Sequence, residues 1–208
     1  MANPAVGIRA AAARDIKPLA AVLATAFYDD PPFVWMLPGD RTRRSRERRL
    51  FATILRAEAM QYGAVEVACV GHTIVGGAIW LPPGHWRPDV QPGVAANLRA
   101  LLGFLGSLGR HLGRASALTK ALARVHPHEP HWYLYVIGVG PDHQGQGVAG
   151  ELLRSRLQRC DQDALPAYLE SSKPANVPLY QHFGFQPTGT PPLPPGAPVL
   201  TAMWRPPQ

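Results

Sequence analysis

Cysteine is scarce, with only Cys69 and Cys160 among 208 residues. Two thiols are too few for a disulfide scaffold or a cysteine-rich metal site. No stretch approaches the roughly 18 consecutive apolar residues of a membrane-spanning helix. The segment Met1-Ala-Asn-Pro-Ala-Val-Gly-Ile-Arg9 lacks the apolar run of a secretory leader, so a cytoplasmic chain with no membrane partner is expected. Charged residues make up 17% against 46% hydrophobic, a balance that can bury a core and does not call for a disordered chain. Acidic side chains are the rarer sign, 14 against 21 basic, for a net charge of +7. That surplus is local. Residues 41–49 hold six arginines and one glutamate, leaving fifteen basic and thirteen acidic residues elsewhere. No aromatic residue interleaves with the arginines, so the run offers phosphate contacts without base stacking or base reading. It is expected to be a solvated helix face, and no specific nucleic-acid partner is expected.

Glycine and proline are plentiful, 20 and 23 residues, and mark loops at residues 81–84 and 188–198. There is no internal repeat or long linker, and a single domain over residues 1–208 is expected. Residues 6–9 read as a first strand. Asp15 is placed to cap a helix carrying Leu19, Val22, Leu23, Ala26 and Phe27 on one face, which Pro31-Pro32 ends. Asp40 is placed to cap the next helix, with Leu50, Phe51, Ile54 and Leu55 inward. Residues 64–70 and 73–81 flank Gly71-His72 as a hairpin. Residues 94–125 read as helical with a break near Gly106–Gly109. The aromatic and β-branched stretch 131–139 is the clearest strand. A glycine turn, a helix to Cys160, a strand at 167–170, a helix at 175–183 and strands at 185 and 199–204 complete a mixed α/β fold.

The turn Gly140-Pro-Asp-His-Gln144-Gly-Gln-Gly147-Val-Ala-Gly150 lies between that strand and a helix. Glycines let the backbone approach a ligand, and the helix N-terminus adds partial positive charge, a combination that suits phosphate or pyrophosphate. Read literally, Gly145-x-Gly147-x-x-Gly150 followed by Glu170 matches a dinucleotide fingerprint. The connection from Val139 to Gly145 is too long for the tight turn that fingerprint needs. The 58 residues after Gly150 are also too few for the rest of a dinucleotide sheet.

Gln144-x-x-Gly147-x-Ala149 resembles motif A of the GNAT acetyltransferases, (Arg/Gln)-x-x-Gly-x-(Gly/Ala). Asn176-Val-Pro-Leu-Tyr180-Gln-His-Phe-Gly184-Phe185 is similar to that family's second signature. The blocks Phe27-Tyr-Asp-Asp-Pro31, Glu129-Pro-His-Trp132, Pro141-Asp-His-Gln-Gly145 and Leu169-Glu-Ser-Ser-Lys-Pro-Ala-Asn176 look like the puromycin N-acetyltransferase group. The resemblance implies a central, mostly antiparallel twisted sheet with flanking helices and a splayed strand pair holding acetyl-CoA. It implies that Ile137, Gly138 and Val139 face the pantetheine arm, with the Val139 amide polarising the thioester. Gln144, Gly145, Gln146, Gly147, Val148, Ala149 and Gly150 would hold the pyrophosphate, and Asn176 would bond the cofactor.

The same resemblance makes Tyr180 the general acid and an amine the acceptor, most simply on a small molecule. The strand 132–139 carries no carboxylate, unlike members of the family that keep a glutamate there, so Glu170 is the candidate base. Asp29 and Asp30 are candidates for a cationic acceptor, and Trp80, His85 and Trp86 for an apolar acceptor pocket. A protein lysine or N-terminal acceptor, or a non-catalytic acyl-CoA-binding regulator, remain as alternatives. His126, His128, Glu129 and His131 lack helical metal-ligand spacing, and no metal is expected. Monomer and homodimer both remain open.

Overall fold

In the computed structural model the described residues are 6–86 and 98–208, without the side chains of Asp40, Glu58 and residues 98–100. Strand β1 (Val6–Ala10) leads through a 3-10 turn (Ala13–Asp15) into α1 (Ile16–Ala26). Asp15 is not the side-chain cap that was expected. Its carboxylate reaches back to the Ala12 N–H (2.7 Å) and to both terminal nitrogens of Arg9 (2.6 and 2.9 Å): although it stands directly before α1, it ends the 3-10 turn and closes that turn back onto Ala12. Pro31-Pro32 ends nothing either. The two prolines open α2 (Pro31–Met36), where the first turn has no N–H to lose. Helix α3 (Asp40–Ile54) continues into a π-turn over Leu55–Ala59. Leu50, Phe51, Ile54 and Leu55 are buried as expected.

The arginine face of α3 is only partly solvated, which corrects the reading of residues 41–49. Arg43 and Glu47 are 5% and 0% exposed and lie 3.9 Å apart. Arg46 donates to the carbonyls of Ser107 and Leu108 at 2.8 and 2.7 Å. These three share the helical stripe that leads to Leu50 and Ile54, so packing takes them inward.

The hairpin is β2 (Val65–Val70) and β3 (Thr73–Leu81), turned at Gly71 with φ of +58°. Then come α4 (Leu98–Leu108) and α5 (Leu112–Ala123) with a 3-10 turn at Gly109–His111, so the helical break falls where the glycines placed it. The expected helical start at residues 94–97 and most of the loop after Trp86 lie outside the described residues. Strand β4 (Trp132–Val139), α6 (Val148–Gln162), β5 (Ala167–Ser171), α7 (Val177–His182), β6 (Gln186–Gly189) and β7 (Thr201–Arg205) follow. Phe185 stays outside β6, packed in the core. No helix among the described residues is long and apolar enough to cross a membrane.

The strands form one seven-stranded sheet in the order β1-β2-β3-β4-β5-β7-β6. Every pairing is antiparallel except β4 with β5. Helices α1 and α3 pack on one face around Leu19, Leu23, Phe51 and Ile79. Helices α6 and α7 cover the other around Leu152, Leu153, Leu169 and Phe185. Trp80 is fully buried in that second cluster, so it cannot line an acceptor pocket as expected.

Helix α1 lies close over two glycines. A Cβ on Gly77 would meet Leu19 Cδ1 at 2.5 Å and the Glu66 carbonyl at 2.8 Å, and one on Gly138 would meet Leu23 and Phe27 at 2.9 Å. Gly138 therefore answers to helix packing, not only to a ligand's approach. Gly77→Ala should lower stability by about 1–3 kcal/mol, since a backbone oxygen cannot swing aside. A urea transition with an unchanged midpoint would refute this account of the α1 contact.

Candidate active site

The parallel pair β4 and β5 stays together for two registered positions only, Trp132 with Ala167 and Tyr133 with Tyr168. Beyond them β5 follows β7 while β4 follows β3, and a cleft of about 540 Å³ opens between them. The Gly140 N–H bonds the Val75 carbonyl on β3 at 2.8 Å. Alternation along the strand therefore turns the main-chain groups of Ile137 and Val139 to the opposite edge, into the cleft.

The glycine turn closes the wide end of this cleft. Gly145 and Gly147 have φ of +73° and +82°, and a Cβ on either would meet nothing within 4 Å. Only glycine adopts this backbone without strain, and the space beside it is open. The Glu151 N–H bonds the Gly147 carbonyl at 3.1 Å. The N–H groups of Val148, Ala149 and Gly150 precede that first helical bond and have no partner inside α6. Three free amides at the positive end of a 15-residue helix present main-chain donors and partial positive charge to the cleft. The Gln144 side chain donates to the Val139 carbonyl at 3.0 Å. It braces the turn against the strand end. Gln146 bonds the Asp142 carbonyl and is absent from the cleft lining.

The cleft also holds titratable groups. Tyr180 is 6% exposed, projects from α7 into the cleft and meets Phe185 edge-on at 6.1 Å. Burial, reinforced by the nearby charge of Asp30, pushes its phenol above the ordinary tyrosine value. Glu170 lies on the same side of β5 as Tyr168 and accepts a 2.6 Å hydrogen bond from Tyr133 Oη. Burial pushes its carboxyl up to about 7, against the opposing pull of the tyrosine hydroxyls. Asp30 is 3% exposed and takes a 2.5 Å bond from Ser172 Oγ; its other oxygen has no hydrogen-bond partner. Burial raises its pKa.

Residues 23–185 match the acetyltransferase (GNAT) family profile. The chain belongs to this family. An uncharacterized N-acetyltransferase of Schizosaccharomyces pombe is 32% identical over 180 residues, covering 83% of this chain and 71% of that protein. The crystal structure of a Corynebacterium glutamicum protein named histone acetyltransferase HPA2 and related acetyltransferase superposes with a TM-score of 0.74. Identity is 28%, with 98% of this chain and 97% of that one covered. A Drosophila melanogaster polyamine N-acetyltransferase that forms N-acetylagmatine superposes at 0.59 with 16% identity, over 97% and 100% of the two chains. That likeness is one of fold. The GNAT fold expected from the two motifs is the fold found.

The GNAT cleft brings together most of the residues singled out in the sequence. Ile137, Gly138 and Val139 line its strand wall. Gln144, Gly145, Gly147, Val148, Ala149 and Gly150 line its turn, with Asn176, Tyr180, Glu170 and Asp30 opposite. Asn176 stands at the N-cap position of α7 without a side-chain capping bond. Asp29 is exposed and outside the cleft. Trp86 is also outside it, stacked on His126 at 3.8 Å, in the wall of a neighbouring apolar cavity. His126 and His131 face each other, Nε2 to Nε2, at 3.0 Å. Burial holds His126 down to about 3, so this imidazole is neutral near pH 7, and burial lowers His131 as well.

Sequence reasoning passed over Tyr133, Tyr135 and Ser172. Tyr135 is the extra residue of a bulge, since Ile79 pairs with Val136 and Trp80 with Leu134. An even alternation was the only available signal, and a bulge is invisible to it.

Proposed function

We propose that this protein transfers the acetyl group of acetyl-CoA to a primary amine of a small molecule by direct attack. One observation carries the reading: the open edge of β4 runs from the amide-rich turn to a point where Tyr180 and Glu170 line the same cleft. The residues fit acetyl-CoA, because the left-handed glycines leave room beside three unpaired amides for a pyrophosphate. The main-chain groups of Ile137 and Val139 suit the amides of a pantetheine arm. Acetyl-CoA supplies an electrophilic thioester carbonyl and a thiolate leaving group. The turn adjoins Val139, so the reacting end lies further back along β4. The amide aimed at the carbonyl is then that of Ile137 rather than that of Val139.

Glu170 takes a proton from the attacking nitrogen as the C–N bond forms. Tyr180 gives its proton to the departing sulfur as the C–S bond breaks, and solvent restores both groups. A phenol kept protonated by burial is a competent acid, and a carboxyl with pKa near 7 a competent base. The Drosophila neighbour's name supports an amine acceptor.

The test is release of CoA thiol with an amine panel, followed across pH. Glu170 must be ionised to act, so kcat/KM should rise with pH through about 7, below the higher limb set by the acceptor amine itself. Glu170→Gln should lose the limb near 7 and roughly 10²–10⁴-fold in rate. A Gln variant that keeps both limb and rate would remove Glu170 from the chemistry. Failure of the wild type to consume acetyl-CoA with any amine would refute the assignment.

A further inference from the structure

A second cavity of about 560 Å³ adjoins the cleft, between α2, α3, α4, α5 and the end of β3. Its walls are Phe33, Met36, Leu50, Ile54, Phe104 and Leu108, with Trp86 at one side. Its volume lies within the roughly 300–1,000 Å³ of small-molecule sites. Leu105 and Leu112 also line it and are 43% and 38% exposed.

Tyr135 joins this cavity to the cleft, lining both. The bulge in β4 re-aims the strand there. It stands on the cleft side with Glu170, Tyr180 and Asp30. A molecule seated among the leucines and phenylalanines lies against Tyr135, the residue whose other side faces the cleft. Charge narrows the choice further. Among the described residues that line the cavity, Lys120 is the only one of fixed charge, and no carboxylate is present. A second ammonium placed here finds no counter-ion and a like charge nearby, and burying an unpaired charge is strongly unfavourable.

We infer that the acceptor is a monoamine carrying a bulky apolar or aromatic group, held in the cavity behind Tyr135, and that polycationic amines are excluded. This rests on the acetyl-transfer reading above. Asp30, buried and reaching the cleft with one unpartnered oxygen, is the carboxylate that meets the one ammonium before it loses its proton, which leaves Glu170 to take that proton. Burial of the apolar group supplies the binding, and the lack of a carboxylate among the described residues that line the cavity supplies the discrimination.

Tryptamine and 2-(1-naphthyl)ethylamine, against spermidine and agmatine, test the inference on the full chain at saturating acetyl-CoA. The aryl amines should exceed the polyamines by at least about 100-fold in kcat/KM. Ser116 lines the cavity from α5; Ser116→Phe fills it and should cut aryl-amine kcat/KM by about 10-fold or more while the Kd for acetyl-CoA stays unchanged. Spermidine or agmatine used equally well, or an aryl-amine rate indifferent to Ser116→Phe, overturns the inference. If no amine is acetylated, the acetyl-transfer reading fails by itself, and calorimetry of tryptamine against the protein decides the cavity. Binding that Ser116→Phe abolishes upholds its chemistry, and no binding overturns it.

Discussion

Gly147→Glu is expected to fold and to lose at least about 100-fold in affinity for acetyl-CoA. A carboxylate at this position stands where the amides of Val148, Ala149 and Gly150 converge, and it opposes a phosphate's charge at the end of α6. A 100-fold loss corresponds to about 2.8 kcal/mol, within reach of one added charge in a partly closed site. The backbone contributes separately, because φ at Gly147 is +82° and a non-glycine residue there costs roughly 1–2 kcal/mol of stability. Gly147→Gln isolates that cost, since glutamine pays the same backbone strain, nearly matches glutamate in size and brings no charge. Calorimetry should show the Gln variant binding much better than the Glu variant. A folded Glu variant with wild-type affinity would place the pyrophosphate elsewhere.

Tyr180→Phe separates packing from proton transfer. The ring and its edge contact with Phe185 survive the change, so stability and acetyl-CoA affinity should hold. Single-turnover acetyl transfer should fall roughly 10- to 1,000-fold, since only the phenol carries the proton, and water partly substitutes. Single-turnover measurement matters because a slow product release masks a chemical defect in kcat. An unchanged single-turnover rate would make Tyr180 a core aromatic and nothing more.

Local rules made much of this protein legible. The hairpin at Gly71-His72, the strand 132–139, the helix break near Gly109 and the glycine turn before α6 were all readable, because periodicity and turn chemistry act over a few residues. The two family motifs read in the same way, since the backbone demands of a left-handed glycine turn write themselves into adjacent positions. Local rules also misled. Asp15 read as a helix cap until Arg9 claimed its carboxylate, and the arginines of α3 read as solvated until Arg46 reached carbonyls 61 and 62 residues away.

What the sequence determined by itself was the fold family, the glycine turn before α6 and the identity of Tyr180 and Glu170 as candidates, each carried by contiguous residues. Tertiary structure alone decided where β4 and β5 part, because the length of a parallel pairing depends on how β7 and β3 draw the two strands away. It alone placed Tyr133 against Glu170, separated Asp30 from Asp29, and joined Tyr135 to an apolar cavity built from four helices. These are long-range contacts whose partners lie tens of residues apart, and burial, which shifts the carboxyl of Glu170 toward neutrality, exists only once those partners have met.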